Sequence, residues 1–352
     1  MSKTLLVMAG GTGGHVFPGL AVADLLRSRD WRVVWMGAPE SMEAKLVPAR
    51  GYEMAWVRFA ALRGKGPMRK LLLPFHLFSA CRQARREIRR VRPDVVLGMG
   101  GYVSFPGGMM AALQGCPLII HEQNSVAGLA NRVLANVADR IACGFPAALR
   151  KGEWVGNPLR PEMSEVVPPK QRTADHLEPP HWLILGGSQG AAALNEIVPQ
   201  GLALIDPAER PLVVHQAGER HLAQLRENYE TANVQAHCTA FIDDMAGAYA
   251  WADLVICRSG ALTVAELAAT GVASVLVPFP HAVDDHQTLN AKFLSDAGAA
   301  ILLPQQQLTP EAISLLRQYT LPQLREMAEK ARELARPQAT ADVARMCEEI
   351  AK

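Results

Sequence analysis

The chain lacks the cysteine spacing of a disulfide framework or a zinc site. Its six cysteines are far apart and no C-x-x-C pair occurs, which is typical of reduced thiols inside a cell and argues against metal binding through cysteine. No apolar run is long enough to span a bilayer, and the sequence does not open with a basic segment and an apolar stretch. We therefore predict an intracellular protein without a membrane-spanning segment.

A large charge of either sign is also absent. The 36 lysines and arginines nearly balance 34 aspartates and glutamates, and the net charge is +2. We therefore expect no nucleic acid as a partner, and any cationic patch must act locally. Hydrophobic residues make up 49% of the 352 positions, which is enough to form the cores of two domains of ordinary size.

Three common catalytic signatures are missing as well. Gly64-Lys65 is followed by Gly66 and has no suitably spaced glycine before it, so the chain has no P-loop. His121-Glu122 begins like a zinc protease motif, but Ser125 occupies the position of the second histidine. No Asp-x-Asp pair is present to hold a divalent ion on a diphosphate. A bound diphosphate would therefore depend on helix dipoles, glycine-turn amides and arginine.

A glycine-rich turn lies near the N-terminus. The apolar residues 4–9 are followed by Gly10-Gly11-Thr12-Gly13-Gly14-His15 and then by apolar residues at helical spacing. This pattern predicts a buried strand, a turn whose backbone N–H groups approach a ligand, and a helix. A dinucleotide fingerprint would need a third glycine in place of Val16 and an acidic residue in place of Gly37-Ala38. A dehydrogenase is therefore disfavoured.

Strand patterns alternate with helical patterns along both halves of the chain. The first half has strand-like runs at 4–9, 32–36, 94–98, 117–121 and 139–143. The strand and glycine turn of His181–Gly190 repeat the opening pattern, and further strands are predicted at 211–215, 254–257, 273–277 and 300–303, with helices near 191–204, 218–229, 261–270 and 286–297. The alternation predicts an α/β protein with two doubly wound parallel-sheet domains, whose ligands bind in a cleft at the carboxyl ends of the strands.

Proline-rich segments divide the two halves. We place the linker in Asn157–Pro161 and in the polar stretch 168–180. Pro337 ends the last long helix, and residues 339–351 are expected to form a terminal helix that packs back on the first domain. The predicted domains are residues 1–160 with the C-terminal segment 338–352, and residues 161–337.

The segment Cys257–Glu266 predicts a nucleotide site in the second half. A strand ends in a short polar turn there, and the helix that follows begins with small residues, so its unpaired N–H groups suit the anionic part of a nucleotide. Glu266 could accept hydrogen bonds from both ribose hydroxyls. Alternatively, Ser259 caps the helix and Glu266 only complements its dipole.

A helix with aromatic and cationic residues is predicted between residues 69 and 91. In helical projection one side carries Phe75, Phe78, Arg82, Arg85, Arg86 and Arg89. A separate stripe faces the core and consists of Leu77, Cys81, Ala84, Ile88 and Val91. Pro74 is expected in the first turn. The pattern suits an anionic membrane surface, or alternatively a solvated arginine face with the phenylalanines under a loop.

Six motifs together resemble one enzyme family. In chain order they are Met8–Pro18, Gly98–Ser104, His121–Asn124, Gly156–Pro158, Gly186–Gly190 and Arg258–Thr263. They are similar to motifs of the peptidoglycan N-acetylglucosaminyltransferases that convert lipid I into lipid II. The resemblance implies the GT-B architecture, with UDP-N-acetylglucosamine as donor and undecaprenyl-diphosphate-MurNAc-pentapeptide (lipid I) as acceptor. It also implies inverting, metal-independent transfer without a cofactor at the cytoplasmic face of the plasma membrane, and it makes wall-synthesis and division proteins candidate partners.

The same resemblance assigns the contacts with the donor. They fall on Thr12, Gly13, Gly14, Asn124, Arg160, Ser188, Ile242, Ala261, Leu262, Thr263, Val264, Ala265, Glu266 and Gln287. Ser188 and Arg160 would hold the diphosphate, while Glu266 would hold the ribose. Ile242 would offer backbone groups to uracil, and the amides of Gln287 and Asn124 would bind sugar hydroxyls and the acetamido group.

The attacking hydroxyl of the acceptor needs a base, and two residues are candidates. His15 is preferred, because an imidazole accepts a proton near neutral pH and this one adjoins the glycine turn. Glu122 is the rival. Alternatively, His15 caps the helix that it opens, and Glu122 is a buried structural partner. His121 is expected to be a satisfied core histidine.

A lipid-linked acceptor favours the membrane interpretation of the aromatic helix. The acceptor and membrane contacts are then Arg63, Lys65, Phe75, Phe78, Arg82 and Arg86. Among these, Arg63 and Lys65 belong to a cationic loop that we expect to meet the acceptor's diphosphate. Two other functions stay open. A nucleotide-sugar epimerase needs no lipid acceptor, and a non-catalytic nucleotide-sugar sensor needs no base.

Overall fold

The computed structural model describes residues 2–59, 72–172, 179–186 and 191–352. The chain divides into two compact units, Met1–Arg160 with Arg336–Lys352, and Pro161–Ala335. We call them the first unit and the second unit. Each is built around one parallel sheet, so the predicted α/β class with two doubly wound domains is confirmed.

The first unit contains a seven-stranded sheet. Its strands are β1 (Thr4–Ala9), β2 (Arg32–Gly37), β3 (Glu53–Trp56), β4 (Val95–Gly100), β5 (Leu118–Glu122), β6 (Arg140–Cys143) and β7 (Glu153–Trp154). Its helices are α1 (Gly13–Ser28), α2 (Met42–Ala49), α3 (Leu73–Val91), α4 (Ser104–Leu113), α5 (Leu129–Leu134) and α14 (Ala339–Ile350). Their strand order is β3-β2-β1-β4-β5-β6-β7. The central strands β1 and β4 are buried along their whole length, because helices cover both faces of a parallel sheet.

The C-terminal helix α14 completes the core of the first unit. Its side chains Val343, Met346 and Cys347 are buried in one cluster with Leu5 of β1 and Leu26 of α1. The helix begins two residues after Pro337, whose ring cannot continue the preceding helix. The last residues of the chain therefore help to bury the first strand.

The second unit contains a six-stranded sheet. Its strands are β8 (His181–Leu185), β9 (Leu212–Gln216), β10 (His237–Thr239), β11 (Leu254–Cys257), β12 (Ala273–Leu276) and β13 (Ala300–Leu302). Its helices are α6 (Pro161–Glu165), α7 (Ala192–Ala203), α8 (Leu222–Thr231), α9 (Met245–Trp251), α10 (Ala261–Thr270), α11 (His286–Ser295), α12 (Pro310–Leu315) and α13 (Leu321–Glu333). The strand order is β10-β9-β8-β11-β12-β13.

Three strands were missed by the sequence analysis, namely β3, β7 and β10. All three lie at sheet edges and have two to four residues. A short edge strand pairs on one side only and needs no long apolar run, so its pattern is weak.

The proline-rich stretch after residue 160 also differs from the prediction of a linker. Residues 161–172 are part of the second unit. The guanidinium of Arg172 donates hydrogen bonds to the carbonyl oxygens of Thr270 and Gly271. Because a helix C-terminus leaves carbonyl groups unpaired, this cation docks the stretch on the end of α10.

The strand order of each sheet reverses at one point. In the first sheet the neighbours at this point are β1 and β4, and in the second they are β8 and β11. Loops that leave such neighbours diverge to opposite faces, and ligands of open α/β sheets bind in the crevice between them. Both predicted glycine turns begin at these points.

Candidate active site

Three segments of the first unit meet at the carboxyl ends of its parallel strands. Strand β1 leads into Thr12–His15. Strand β4 ends at Gly100 and is followed by Gly101, and β5 ends at Glu122 and is followed by Gln123 and Asn124. Because β4 pairs in parallel with both β1 and β5, the carboxyl ends of the three strands are adjacent. We call these three segments the first-unit site.

The N-terminus of helix α1 is open to solvent in this site. Thr12 is the N-cap residue and, among the described residues, its side chain caps no backbone N–H. Thr12 is exposed, and Gly13 and Gly14 are half-buried. The positive end of the helix dipole is therefore accessible to an anion, in agreement with the hypothesis of donor contacts at these three residues.

The ring of His15 is the first member of a hydrogen-bonded chain. Its Nδ1 lies 2.9 Å from Oε1 of Gln123, and Nε2 of Gln123 lies 3.1 Å from Nδ1 of His121. The Nε2 of His121 in turn lies 2.9 Å from the carbonyl oxygen of Gly156. His15 thus bonds to Gln123 and does not use this nitrogen to cap its helix, and His121 is a satisfied core histidine.

His121 is held neutral by its surroundings. The side chain is completely buried, and this burial lowers the pKa of His121 to about 4. The hydrogen bond to Gly156 and the charge of Glu122 act in the opposite direction but are weaker. Near neutral pH the ring therefore carries one proton.

Two glycines of the first-unit site are required by their neighbours. Gly100 has φ +98°, and a β-carbon there would lie 2.8 Å from Cε1 and Nδ1 of His15. Gly101 has φ +85°, and a β-carbon there would overlap the carbonyl of Gly10. Only glycine combines this backbone conformation with such close approach, so the Gly-Gly pair after β4 makes room for the His15 ring.

The carboxylate of Glu122 is saturated with hydrogen bonds. Its Oε1 accepts from the backbone and side-chain amides of Asn124, at 3.0 and 3.3 Å. Its Oε2 accepts from the N–H of Gly128 at 3.1 Å and from Nδ2 of Asn131 at 2.9 Å. With only 2% of the residue exposed, this geometry favours the structural alternative, because the carboxylate anchors the loop that carries Asn124.

Helix α10 of the second unit begins at Ala261, directly after the turn that ends β11. Its N-cap is Gly260, and Ser259, which is completely buried, donates its hydroxyl to the carbonyl of Gln287 at 2.8 Å. Ser259 thus lies one residue before the N-cap, and its hydroxyl proton is used in a bond to the next helix, α11. Helix α10 follows β11 at the switch point of the second sheet, where a nucleotide is predicted to bind.

Two side chains near this helix are oriented by hydrogen bonds. The hydroxyl of Tyr249, on α9, donates to Oε2 of Glu266 at 3.0 Å. The N–H of Phe279 donates to Oε1 of Gln287 at 2.9 Å, so the Gln287 nitrogen is left to donate elsewhere. The polar groups predicted to bind ribose and sugar are thereby held in one orientation.

The remaining predicted donor contacts are more dispersed. Ile242 is half-buried in the loop between β10 and α9, and Arg160 is half-buried at the last residue before the second unit. Leu262, Thr263, Val264 and Ala265 follow Ala261 along α10. Ser188, in the second glycine turn, lies outside the described residues.

Comparisons with known proteins identify the family. The glycosyltransferase family 28 N-terminal domain matches residues 5–143, and the C-terminal domain of that family matches residues 181–346. A Dechloromonas aromatica protein named UDP-N-acetylglucosamine--N-acetylmuramyl-(pentapeptide) pyrophosphoryl-undecaprenol N-acetylglucosamine transferase is 64% identical over 352 residues, which is 100% of both chains. The chain belongs to glycosyltransferase family 28.

Solved structures agree with this family 28 assignment. The crystal structure of Acinetobacter baumannii MurG has a TM-score of 0.87 and 40% sequence identity, and the match covers 99% of each chain. The glycosyltransferase of kitacinnamycin, at 18% identity and a TM-score of 0.71 over 100% of both chains, shows the fold alone. The resemblance in the six motifs and the predicted GT-B fold class of two Rossmann-like domains are therefore confirmed.

The aromatic helix of the family 28 chain has the two predicted sides. Phe75 and Phe78 are 73% and 67% exposed, and the exposed arginines on the same side are Arg82, Arg85, Arg86 and Arg89. The core side buries Ala84, Ile88 and Val91, together with Ala80, which was not predicted, while Leu77 and Cys81 are half-buried. Pro74 lies in the first turn. Arg63 and Lys65, in the predicted cationic loop, lie outside the described residues.

The alternative for this helix, with the phenylalanines covered, disagrees with their exposure within the described residues. No helix in the described part of the chain is long and apolar enough to cross a membrane. In the same residues, no cluster of three or more His, Cys, Asp or Glu side chains could hold a metal ion.

Several residues of the family 28 site were missed by the sequence analysis. Gln123 and Tyr249 orient His15 and Glu266, respectively. Glu43, on α2 and 1% exposed, accepts hydrogen bonds from the N–H groups of Gly11 and Ala38. An acidic residue in the first turn of α2 was the only available signal for Glu43, and the same pattern is typical of ordinary helix starts.

Proposed function

We propose that this protein transfers N-acetylglucosamine from UDP-N-acetylglucosamine to lipid I, the undecaprenyl-diphosphate-linked MurNAc-pentapeptide, and so produces lipid II and UDP. Relatives named for this reaction match the chain from end to end, at 64% and 63% identity. The observation that carries the proposal is the carboxylate of Glu266, which Tyr249 orients on the helix that follows β11 at the switch point of the second sheet. A helix N-terminus binds phosphate, and a fixed carboxylate accepts from ribose hydroxyls.

The second unit would bind the donor. The amides at the start of α10 and Ser188 would hold the diphosphate, with Arg160 adding a charge-assisted hydrogen bond. Glu266 would accept from the ribose hydroxyls, and backbone groups at Ile242 would contact uracil. The Gln287 nitrogen, left to donate by the Phe279 contact, would bind a hydroxyl oxygen of the transferred sugar.

The chemical step would be an inverting displacement. The acceptor hydroxyl gives its proton to Nε2 of His15 while its oxygen bonds to the anomeric carbon, and the bond from that carbon to the UDP oxygen breaks with its electron pair on UDP. The helix N-terminus and Arg160 would stabilise the negative charge of UDP without a metal. Thr12, Gly13, Gly14 and Asn124 would line the sugar side of this site.

Glu122 is a weaker candidate for the base. Four donors already occupy its two oxygens, and protonation would break bonds that hold the Asn124 loop. Within the described ranges His15 bonds through Nδ1 to Gln123 alone, so its second nitrogen can serve the acceptor.

The exposed side of α3 would rest on the cytoplasmic face of the plasma membrane. Phe75 and Phe78 supply apolar area, and Arg82 and Arg86 attract anionic lipid at about 1 kcal/mol per basic residue. Arg63 and Lys65 would meet the diphosphate of lipid I. Wall-synthesis or division proteins remain candidate partners at this surface.

Flotation with anionic liposomes tests the membrane contact. The double variant Phe75→Ser and Phe78→Ser should lose most of its vesicle binding, whereas Arg345→Ser, an exposed residue of α14, should bind like the wild type. Equal binding by the wild type and the double variant would remove the membrane assignment.

A single incubation tests the reaction class. The protein is mixed with radiolabelled UDP-N-acetylglucosamine and a lipid I analogue, with and without EDTA. Label in the lipid product, in a β-linkage by NMR and equally fast with EDTA, is expected for inverting, metal-independent transfer. Label in an isomerised sugar nucleotide would indicate an epimerase, and bound but unchanged label would indicate a sensor.

A further inference from the structure

The hydrogen-bonded chain behind His15 ends at a backbone carbonyl, that of Gly156. The carbonyl oxygen of Gly156 can only accept, so Nε2 of His121, at 2.9 Å, must carry a proton. Because the buried His121 ring is neutral, its Nδ1 carries a lone pair. The tautomer of His121 is therefore determined by the backbone at Gly156.

The amide of Gln123 is oriented by two acceptors. Its Nε2 lies 3.1 Å from Nδ1 of His121, which holds a lone pair, and 3.3 Å from the carbonyl oxygen of His121. Both neighbours can only accept, so the nitrogen must face them and Oε1 must face His15. Gln123 is 1% exposed, and its backbone carbonyl accepts from Nδ2 of Asn157 at 3.0 Å. Burial of the side chain and this fixed backbone limit reorientation of the Gln123 amide.

The oxygen of Gln123 then decides the tautomer of His15. This oxygen can only accept, so Nδ1 of His15, at 2.9 Å, carries the proton. In a neutral imidazole the other nitrogen, Nε2, is left with the lone pair. A base of this kind is ready to take a proton from an acceptor hydroxyl without first exchanging its own.

We infer that Gln123 and His121 are positioning residues, which hold His15 in the tautomer with Nδ1 protonated and Nε2 free to accept a proton. The inference rests on the proposed role of His15 as base. Neither Gln123 nor His121 is a catalytic residue, since both act through the ring of His15. The direction of every hydrogen bond in this series is set by the backbone carbonyl of Gly156.

Nitrogen NMR on the wild-type protein tests the tautomers without any activity measurement. The ten histidines are labelled with ¹⁵N, and the signals of His15 and His121 are assigned by their absence in His15→Ala and His121→Asn variants. In the neutral rings we expect a protonated Nδ1 and an unprotonated Nε2 for His15, and the reverse for His121. A His15 ring protonated at Nε2, or a mixture of both forms, would overturn the inference even if the protein makes lipid II.

A variant of the bridging amide tests the consequence for the reaction. Gln123→Met keeps the length of the side chain but removes its hydrogen bonds to His15 and His121, so the fraction of neutral His15 rings protonated at Nε2 should rise. We expect kcat to fall roughly 10-fold, which is less than the 10²–10⁴-fold that a general base supplies because the base itself is retained, while the KM for the donor changes less than about twofold. Gln114→Met, on a half-buried amide of the same unit, is the matched control with normal kcat.

The outcomes separate this inference from the proposed function. Tautomers as expected together with a lowered kcat support it, and unchanged kcat in Gln123→Met overturns it. If the wild type makes no lipid II but His15 shows the expected tautomer, the proposed function fails while the hydrogen-bonded chain stands. If Gln123→Met does not fold, the wild-type spectrum alone decides.

Discussion

Replacement of Glu122 by glutamine separates a structural role of this residue from a catalytic one. Each carboxylate oxygen accepts from one backbone N–H, Asn124 or Gly128, and from one side-chain amide, Asn124 or Asn131. A glutamine has only one oxygen. Whichever way its amide turns, its NH₂ group faces one of the two backbone N–H groups, which cannot rotate away.

The magnitude follows from this count. One buried backbone N–H without an acceptor costs about 1–3 kcal/mol, and a side-chain amide that loses its partner about 0.5–1.5 kcal/mol more. We therefore expect Glu122→Gln to lower the free energy of unfolding by about 2–4 kcal/mol. For a unit of this size the midpoint of thermal unfolding should fall by roughly 5–15 °C.

The assay combines thermal unfolding with kinetics at 25 °C. Glu153→Gln is the matched control, because it makes the same change on an exposed strand, where the carboxylate pairs with Arg140 at 3.2 Å and is worth about 0–1 kcal/mol. We expect Glu122→Gln to keep kcat within about tenfold of the wild type, whereas loss of a general base costs about 10²–10⁴-fold. An unchanged midpoint together with a kcat loss of that size would refute the structural assignment.

Three further expectations concern other sites. Tyr249→Phe should weaken UDP binding about 3- to 10-fold by calorimetry, since the Glu266 carboxylate loses the bond that orients it; an unchanged Kd contradicts this. Gly100→Ala should lower the free energy of unfolding by more than about 1 kcal/mol and lower kcat, because Gly100 has a positive φ and adjoins the imidazole of His15. A thermal unfolding midpoint equal to that of the wild type would contradict this. Burial lowers the pKa of His121 to about 4 and of His215 to about 3. The unfolded chain therefore binds more protons below pH 6.5, and the free energy of unfolding, measured by urea titration, should fall between pH 6.5 and 5 by up to about 1.4 kcal/mol per pH unit for each histidine. A flat profile would contradict the burial of both rings.

The fold followed from local patterns more completely than the site did. The central strands and the long helices were predicted within a few residues, because a buried strand and an amphipathic helix repeat their apolar positions within one segment. The two sides of α3 were predicted for the same reason. The edge strands β3, β7 and β10 were missed, since one-sided pairing leaves little pattern in the sequence.

The division of the chain at Arg160 falls inside the predicted linker Asn157–Pro161, whereas residues 168–172 belong to the second unit for a reason that composition does not reveal. The prolines and polar residues of 168–172 are typical of a linker, but Arg172 donates hydrogen bonds to the carbonyl oxygens of Thr270 and Gly271. Those acceptors lie about a hundred positions away in the chain and become available only when α10 ends beside them.

The sequence by itself determined the family, the two parallel sheets and the two glycine turns, because these depend on residue types and spacings that are close together in the chain. The tertiary structure decided what the side chains around the first of these turns do. His15 and Gln123 are 108 positions apart, and Glu122 is saturated by a loop and a helix that fold over it. Hydrogen-bond partners of this kind are chosen by which strand ends lie side by side, and that adjacency exists only after the sheet has formed.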